Sequence, residues 1–366
     1  MQRGLLFTLL ALLVALSGFS ALWAQEHTPD LTSIPFESLA AGSELSPDDR
    51  TLALYNNPII YNSESLETTP EESQIRLLDI ETGKLTGSLQ GNLDWVSDIA
   101  FNSDGSRLVA FHRNGDLSLW DVPNQALLKT IPTYVYGGGW VLFMPDDQTV
   151  LLRLGEFVFG TLDTTNGAIT QLFGRHIDTY NQFSENYTQY PERADLTFVT
   201  ASASPDNTTF AASTANDEVV LWDAVSGEMR TLREPSEEMV RFAIRTLIFS
   251  SDGSTLTYFD DSDDQIHVWD LNTAEEREVY AFGGLPFAVA PDETTLAWAD
   301  RETGVIYLAD TASEAEPIAL LELPDELGIA PNITQLFFTS DGSQLVVSGL
   351  FASDEQNAVY VINLAE

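Results

Sequence analysis

The densest group of side chains that could do chemistry is "DDSDD", a run of four aspartates from Asp260 to Asp264. Carboxylates are the ligands that Ca²⁺ prefers, but calcium needs about six to eight oxygens in a defined geometry. The run lacks the glycine and the distal glutamate of an EF-hand loop. We therefore expect an acidic hairpin tip here. A cation held by Asp260, Asp263 and Asp264 is the alternative.

Few residues favour catalysis. The four histidines are His27, His112, His176 and His267, and no two of them have the spacing of metal ligands. Cysteine is absent, and the sequence has no nucleophile elbow or phosphate-binding glycine loop. Each histidine is interpreted as a surface or packing residue. The sequence thus predicts a protein that is not an enzyme and has no cofactor.

Aromatic side chains form the other group with a possible role in binding. Many lie in polar or glycine-containing segments, such as "TYVYGGGW", "RHIDTYNQFSENYTQYPERAD" and "AFGGLPF". Rings on such loops offer contact area to a protein or a carbohydrate at low entropic cost. The simpler interpretation is that each ring fixes its own loop. The candidates for partner binding are Trp95, Tyr134, Tyr136, Trp140, Tyr180, Phe183, Tyr187, Tyr190 and Phe282.

Charge limits the kinds of partner. The chain has 56 acidic and 16 basic residues, a formal net charge of −40. Such a field repels phosphate backbones and anionic lipid surfaces, so we expect no nucleic-acid partner. A solvated acidic coat is the simplest explanation, because the acids are spread over the whole chain. Attraction of cations or of a basic partner is the alternative.

The N-terminus indicates export. Residues 1–24 have a basic start, an apolar stretch and then small residues, which is typical of a secretory signal. Leu22 stands where a small residue is preferred before the cleavage site. The stretch is also long enough to span a bilayer, so a retained anchor is the alternative, and membrane contact is expected only in that case. We predict a periplasmic or extracellular monomer without disulfides.

Two signals recur along residues 25–366. A polar turn with an aspartate is followed by an apolar run that ends in an acid or amide. The separation is 17 residues from Asp104 to Asp121 and 18 from Asp252 to Asp270, and five of seven copies keep this register. Such periodicity indicates a repeat architecture. The turn aspartates assigned a structural role are Asp104, Asp146, Asp206, Asp252, Asp292 and Asp341.

The pattern of each copy predicts a four-stranded meander. Its runs are short, rich in β-branched and aromatic residues, and bounded by turn residues. One such sheet cannot bury both faces, whereas sheets stacked radially in a closed ring can. The sequence predicts an all-β, seven-bladed propeller of four-stranded antiparallel blades. The blades are expected near 39–90, 91–132, 139–174, 195–233, 243–281, 285–322 and 332–366, and an N-terminal strand at 30–36 completes the last one.

The stretch from Gly91 to Asp121, "GNLDWVSDIAFNSDGSRLVAF…LSLWD", resembles a WD40 repeat, and "VVLWD" and "HVWD" share its ending. The chain is similar to exported, bacterial-style WD40 or YVTN-like propellers. The resemblance implies that Trp120, Trp222 and Trp269 wedge between blades, with each indole N–H bonded. Asn92 replaces the histidine of the family's hydrogen-bonded tetrad. Asn114 and Asn216 fill the turn position that Asp263 occupies in repeat five.

The resemblance implies a non-catalytic scaffold that binds a protein through its loop-rich face. The alternative is a propeller enzyme, or a protein that binds a small molecule, glycan or cation at the mouth of the central channel. Acids converging there could bind a cation or do acid–base work. The sequence does not indicate which acids converge.

Overall fold

A computed structural model describes 29 β-strands between residues 31 and 364. The described ranges are 31–36, 42–55, 74–91, 94–133, 139–154, 158–174, 188–189, 198–206, 208–223, 226, 228–235, 243–250, 252–280, 286–292, 295–300, 303–310, 317–321, 332–350 and 357–364. The predicted signal at residues 1–24 lies outside them. Among the described residues, no helix is long and apolar enough to cross a membrane.

The strands are these, in chain order. The first fourteen are β1 (Leu31–Phe36), β2 (Gly42–Leu45), β3 (Thr51–Tyr55), β4 (Ile75–Asp79), β5 (Lys84–Leu89), β6 (Val96–Phe101), β7 (Arg107–His112), β8 (Asp116–Asp121), β9 (Ala126–Pro132), β10 (Val141–Phe143), β11 (Thr149–Arg153), β12 (Val158–Asp163), β13 (Ile169–Gly174) and β14 (Thr188–Gln189). The remaining fifteen are β15 (Phe198–Ala203), β16 (Thr209–Thr214), β17 (Val219–Asp223), β18 (Met229–Arg233), β19 (Ile244–Phe249), β20 (Thr255–Asp260), β21 (Gln265–Asp270), β22 (Glu275–Tyr280), β23 (Phe287–Val289), β24 (Thr295–Ala299), β25 (Ile306–Asp310), β26 (Ile318–Leu321), β27 (Asn332–Phe338), β28 (Gln344–Leu350) and β29 (Asn357–Asn363).

These strands form seven sheets, which confirms the predicted seven-bladed propeller. Blades 1 to 6 begin at β2, β6, β10, β15, β19 and β23, and each is an antiparallel meander whose strands we call A, B, C and D from the inside outward. Blade 7 has β27, β28 and β29 as strands A to C. Blade 3 differs from the prediction, because the two-residue β14 adds a fifth strand parallel to β13.

The middle strands of each blade are buried on both faces. In β7, the side chains of Leu108, Val109, Ala110 and Phe111 are all fully buried, although successive residues point to opposite faces of the sheet. Alternate residues therefore pack against opposite neighbours: Leu108 and Ala110 join a cluster with blade 1, while Val109 and Phe111 join one with blade 3. Radial stacking explains why these strands are continuously apolar rather than alternating.

The turn between strands A and B is built the same way around the ring. In blade 2, Asp104 Oδ1 accepts the Ser106 N–H at 2.8 Å and the Asn102 side-chain amide at 2.9 Å. This bonding lowers the pKa of Asp104, the hydroxyl and N–H of Ser106 having the largest effect. The turn aspartates of the other six blades also accept hydrogen bonds within their own turns: Asp48, Asp146, Asp206, Asp252, Asp292 and Asp341.

Two of these turns are bonded to the next blade. The backbone N–H and hydroxyl of Ser103 in blade 2 donate to the two carboxylate oxygens of Asp147 in blade 3, at 2.9 and 2.6 Å. The N–H of Ser340 in blade 7 donates to Asp49 Oδ2 in blade 1 at 2.7 Å. The second contact joins the last blade to the first.

The outer position of blade 7 is taken by β1, which pairs antiparallel with β29 from Leu31 opposite Ile362 to Phe36 opposite Asn357. We expect this pairing to stabilise the ring, because it removes a long open edge. Deleting residues 25–38 should lower the melting temperature by many degrees in a calorimetric scan. An unchanged melt would show that the strand contributes nothing to closure.

Candidate functional site

The meander sorts the connections onto two faces of the ring. Connections from strand B to C, and from strand D to the next A, lie on one side, which we call the loop face. Connections from A to B and from C to D lie on the other side, the turn face. Two of the connections between strands that end on the loop face are long, residues 56–73 and 175–197, and all but residues 188–189 of them lie outside the described residues. Binding residues are often found on such loops, because a rigid scaffold holds them in position.

Trp95 lies on the loop face just before β6 and is half-buried. The guanidinium of Arg113 lies 5.5 Å from the centre of its ring, a cation–π contact. The Trp95 carbonyl accepts the Arg113 N–H at 2.8 Å, and the Trp95 N–H donates to Asp94 Oδ1 at 2.6 Å. Backbone bonds on both sides therefore fix the backbone of Trp95, and Arg113 covers its ring.

Trp140 lies next to β10, at the loop-face entrance to blade 3, and is also half-buried. Its ring meets Phe159 edge-on at 4.5 Å, and its carbonyl accepts the Arg153 N–H at 3.1 Å. No acceptor among the described residues is bonded to its indole N–H. The other candidate rings lie outside the described residues: Tyr134, Tyr136, Tyr180, Phe183, Tyr187, Tyr190 and Phe282.

The three repeat tryptophans lie at seams between blades. Trp120 is fully buried in the cluster of blades 1 and 2, and its N–H donates to the Gln90 carbonyl at 3.0 Å. Trp222 stacks on Phe210 at 5.0 Å within the cluster of blades 3 and 4. Trp269 is half-buried against the cluster of blades 4 and 5, and its N–H donates to the Tyr258 hydroxyl at 3.1 Å.

Two carboxylates line the inner strands of blades 1 and 2, and sequence reasoning did not single them out. Glu44 lies in β2 and Asp98 in β6, and both are half-buried. Burial raises the pKa of Asp98 to about 7, although its Oδ2 accepts the Val141 N–H at 2.9 Å. Burial and the nearby charge of Asp98 raise the pKa of Glu44 to about 8. The sequence did contain a signal for these two residues, because both are acidic side chains inside predicted inner strands.

The acidic run in blade 5 forms the hairpin between β20 and β21, as expected. Ligand atoms of Asp260, Asp263 and His267 lie within 4.8 Å of one another, so His267 rather than Asp264 completes the compact group. Asp260 already has partners: Arg233 Nη1 lies 2.6 Å from its Oδ2, and the Ser262 N–H and hydroxyl bond its Oδ1. The guanidinium disfavours a second cation at this carboxylate.

The two described histidines have partners away from the acids of the inner strands. His267 Nδ1 contacts Glu276 Oε1 at 2.5 Å and Nε2 contacts Asp263 Oδ2 at 3.1 Å, while its ring stacks on Tyr258. His112 is fully buried, with Nε2 3.0 Å from Ser118 Oγ, and burial lowers its pKa. Neither combines with Glu44 or Asp98 into an acid–base group.

A comparison with family models matches residues 83–121 to the WD domain, G-beta repeat. The match begins just before the D strand of blade 1 and ends with the C strand of blade 2, so one sequence repeat straddles two blades. The chain contains a WD40 repeat. This finding and the fold confirm the WD40 resemblance of the stretch from Gly91 to Asp121, and WD40 propellers commonly serve as scaffolds for protein interaction.

Among solved structures, the chain is similar to the β-propeller domain of Cps50 (Swd1) from Myceliophteria thermophila. The TM-score is 0.66 at 13% identity, over 92% of this chain and 100% of the other. At that identity the likeness supports the fold alone. A comparison with curated proteins found no match.

Proposed function

We propose that the protein is an exported, non-catalytic scaffold that binds a protein partner through its loop face. The observation that carries this proposal is the pair of half-buried tryptophans, Trp95 and Trp140, at the loop-face entrances of adjacent blades. Tryptophan and arginine are the residue types most enriched at binding hot spots, and Arg113 lies against the first ring. Because the ring of Trp95 already contacts Arg113 and that of Trp140 contacts Phe159, binding would cost little side-chain entropy.

The test is affinity capture from the native envelope fraction, with and without a chelator. The wild-type protein is compared with a variant carrying Tyr134→Ala, Tyr136→Ala and Trp140→Ala. Leu128→Ala is the matched control, because Leu128 is 51% exposed on the outer strand of blade 2, away from the loop face. We expect a reproducible protein partner that the triple variant loses and the control keeps. If the triple variant retains the partner, the loop face of blade 3 is not the binding surface.

One observation favours a second candidate, a cation or acid–base site in the central channel. Glu44 and Asp98 have pKa values of about 8 and 7, so near neutral pH they exchange protons readily. An NMR titration of their carboxyl carbons with and without calcium tests this candidate. A bound cation would lower both pKa values, because it favours the charged carboxylates. Unchanged titration curves in millimolar calcium would exclude a calcium site.

A further inference from the structure

A groove of about 360 Å³ lies on the turn face between blades 1 and 2. The apolar side chains in its lining are Leu77, which is itself buried, Val122 and Pro123. Its remaining lining is polar: Asp48, Thr51, Thr86, Asp104, Gly105, Ser106 and Gln125. The Gln125 side-chain amide donates to the Thr86 carbonyl at 3.1 Å, so the outer strands of the two blades are joined beside the groove.

The groove has carboxylates on both blades. Hydrogen bonds within the turns hold both carboxylates in place: Asp48 Oδ1 accepts the Ser46 hydroxyl, and Asp104 Oδ1 accepts the Ser106 N–H.

Among the described residues, no basic side chain lines this groove. The arginines of the same two turns contact other groups, although the charge of Arg107 also helps to lower the pKa of Asp104. Arg107 donates to the Asp147 carbonyl of blade 3 at 3.3 Å, and Arg50 lies 3.9 Å from Glu81. The groove therefore combines two carboxylates from different blades with a smaller apolar part formed by Leu77, Val122 and Pro123. That combination suits a long cationic side chain, whose stem covers apolar surface while its charged end meets carboxylate.

We propose that the groove between blades 1 and 2 binds an arginine side chain of a basic protein partner. A guanidinium can bond two carboxylate oxygens in a plane, and it is more weakly hydrated than an ammonium group, so arginine fits better than lysine. The net charge of −40 would attract such a partner before contact. This surface is on the opposite side of the ring from the loop face and does not depend on it.

The test uses the peptide acetyl-Gly-Arg-Gly-amide, with the citrulline peptide as its uncharged counterpart, in an NMR titration of the intact protein. We expect millimolar affinity, which falls with salt, and shifts centred on the amides of Thr51, Thr86, Ser106 and Gln125. The citrulline peptide should bind at least about tenfold more weakly. Equal binding of both peptides, or shifts spread over the acidic surface, would overturn the proposal.

Paired variants locate the site. Asp48→Asn with Asp104→Asn keeps an oxygen acceptor in each turn but removes both charges, and should weaken binding about tenfold or more. Asp206→Asn with Asp252→Asn is the matched control. These turns of blades 4 and 5 have the same build, with Gly253 against Pro205 as Gly105 lies against Pro47. Equal losses in both pairs would mean diffuse attraction and overturn the proposal.

A third variant, which blocks the groove, keeps the proposal testable if the double variant of Asp48 and Asp104 fails to fold. Thr86 is exposed on the outer strand of blade 1, so Thr86→Lys should leave the fold intact while placing an ammonium group in the groove. We expect it to abolish binding of the arginine peptide with an unchanged melting temperature. Full binding by Thr86→Lys would contradict the proposed site, whatever the aspartate pair does.

Discussion

The inner strands of blades 1 and 2 and the seam between blades 4 and 5 both contain carboxylates withdrawn from water, but with opposite electrostatics. In the first, burial raises the pKa values of Glu44 and Asp98 to about 8 and 7. In the second, burial also tends to raise the pKa of Asp260, but hydrogen bonds from Ser262 and the Arg233 guanidinium lower it overall. Hydrogen bonds from Ser262, together with a fixed cation, therefore favour the charged form of Asp260, and Glu44 and Asp98 have no such cation among their causes.

The two regions should respond oppositely to pH. The lowered pKa of Asp260 gives stability that is present above its unfolded value, near 4, and lost as pH falls through the folded value. The raised pKa values of Glu44 and Asp98 mean that the folded state holds protons that the unfolded state releases. Stability from these two carboxyl groups therefore falls as pH rises from about 4 to about 8.

The largest expected effect concerns the two tryptophans. Trp120 is fully buried in the seam of blades 1 and 2, so Trp120→Ala should reduce the free energy of unfolding by about 3–5 kcal/mol. Trp269, in the seam of blades 4 and 5, is half-buried, and Trp269→Ala should cost less, about 1–3 kcal/mol. Chemical denaturation at pH 7 measures both. Equal losses would show that the two seams do not differ in apolar packing.

The next prediction breaks the ion pair. Arg233→Met leaves Asp260, whose side chain is fully buried, without its cation, and should cost about 3 kcal/mol at pH 7. The double variant with Asp260→Leu removes both charges and should recover much of that loss, because an apolar pair needs no desolvation. A double variant as unstable as the single one would mean that the pair contributes more than its own desolvation costs.

The third prediction sharpens the pH contrast. At pH 8, Glu44→Gln should raise the free energy of unfolding by about 1–3 kcal/mol, because it removes a carboxyl that folding withdraws from water. At pH 4 the gain should vanish, since the wild-type group is then protonated in both states. Denaturation at the two pH values measures the difference. A gain independent of pH would point to packing rather than charge.

The smallest effect concerns the turn face. The Ser103 hydroxyl donates to Asp147 of the next blade, so Ser103→Ala should cost about 0.5–1.5 kcal/mol. Ser340 contacts Asp49 through its backbone N–H, which an alanine retains, so Ser340→Ala is a matched control with no expected loss. Denaturation curves of the two variants measure their free energies of unfolding. A loss of equal size in both would show that the inter-blade bond is not what is being measured.

Sequence reasoning succeeded where a local signal repeats. The turn at Asp104 and the closing acid at Asp121 define one blade, and their spacing recurs often enough to predict seven. It did not find the polar pairs that join separate repeats. Arg233 meets Asp260, and Asp98 lies near Glu44, only because the ring places neighbouring blades face to face. No spacing along the chain encodes such pairs. Burial, which sets the pKa of Glu44, likewise arises from the assembled ring.

The loop face as the binding surface is tested most directly by hydrogen–deuterium exchange on the complex with a captured partner. Our account predicts slower exchange at residues 94–97, 113–115 and 139–141, where the loop face of blades 2 and 3 carries Trp95, Arg113 and Trp140. Protection confined to the turn face, at residues 46–51 and 102–107, with unchanged exchange at the loop face would contradict it.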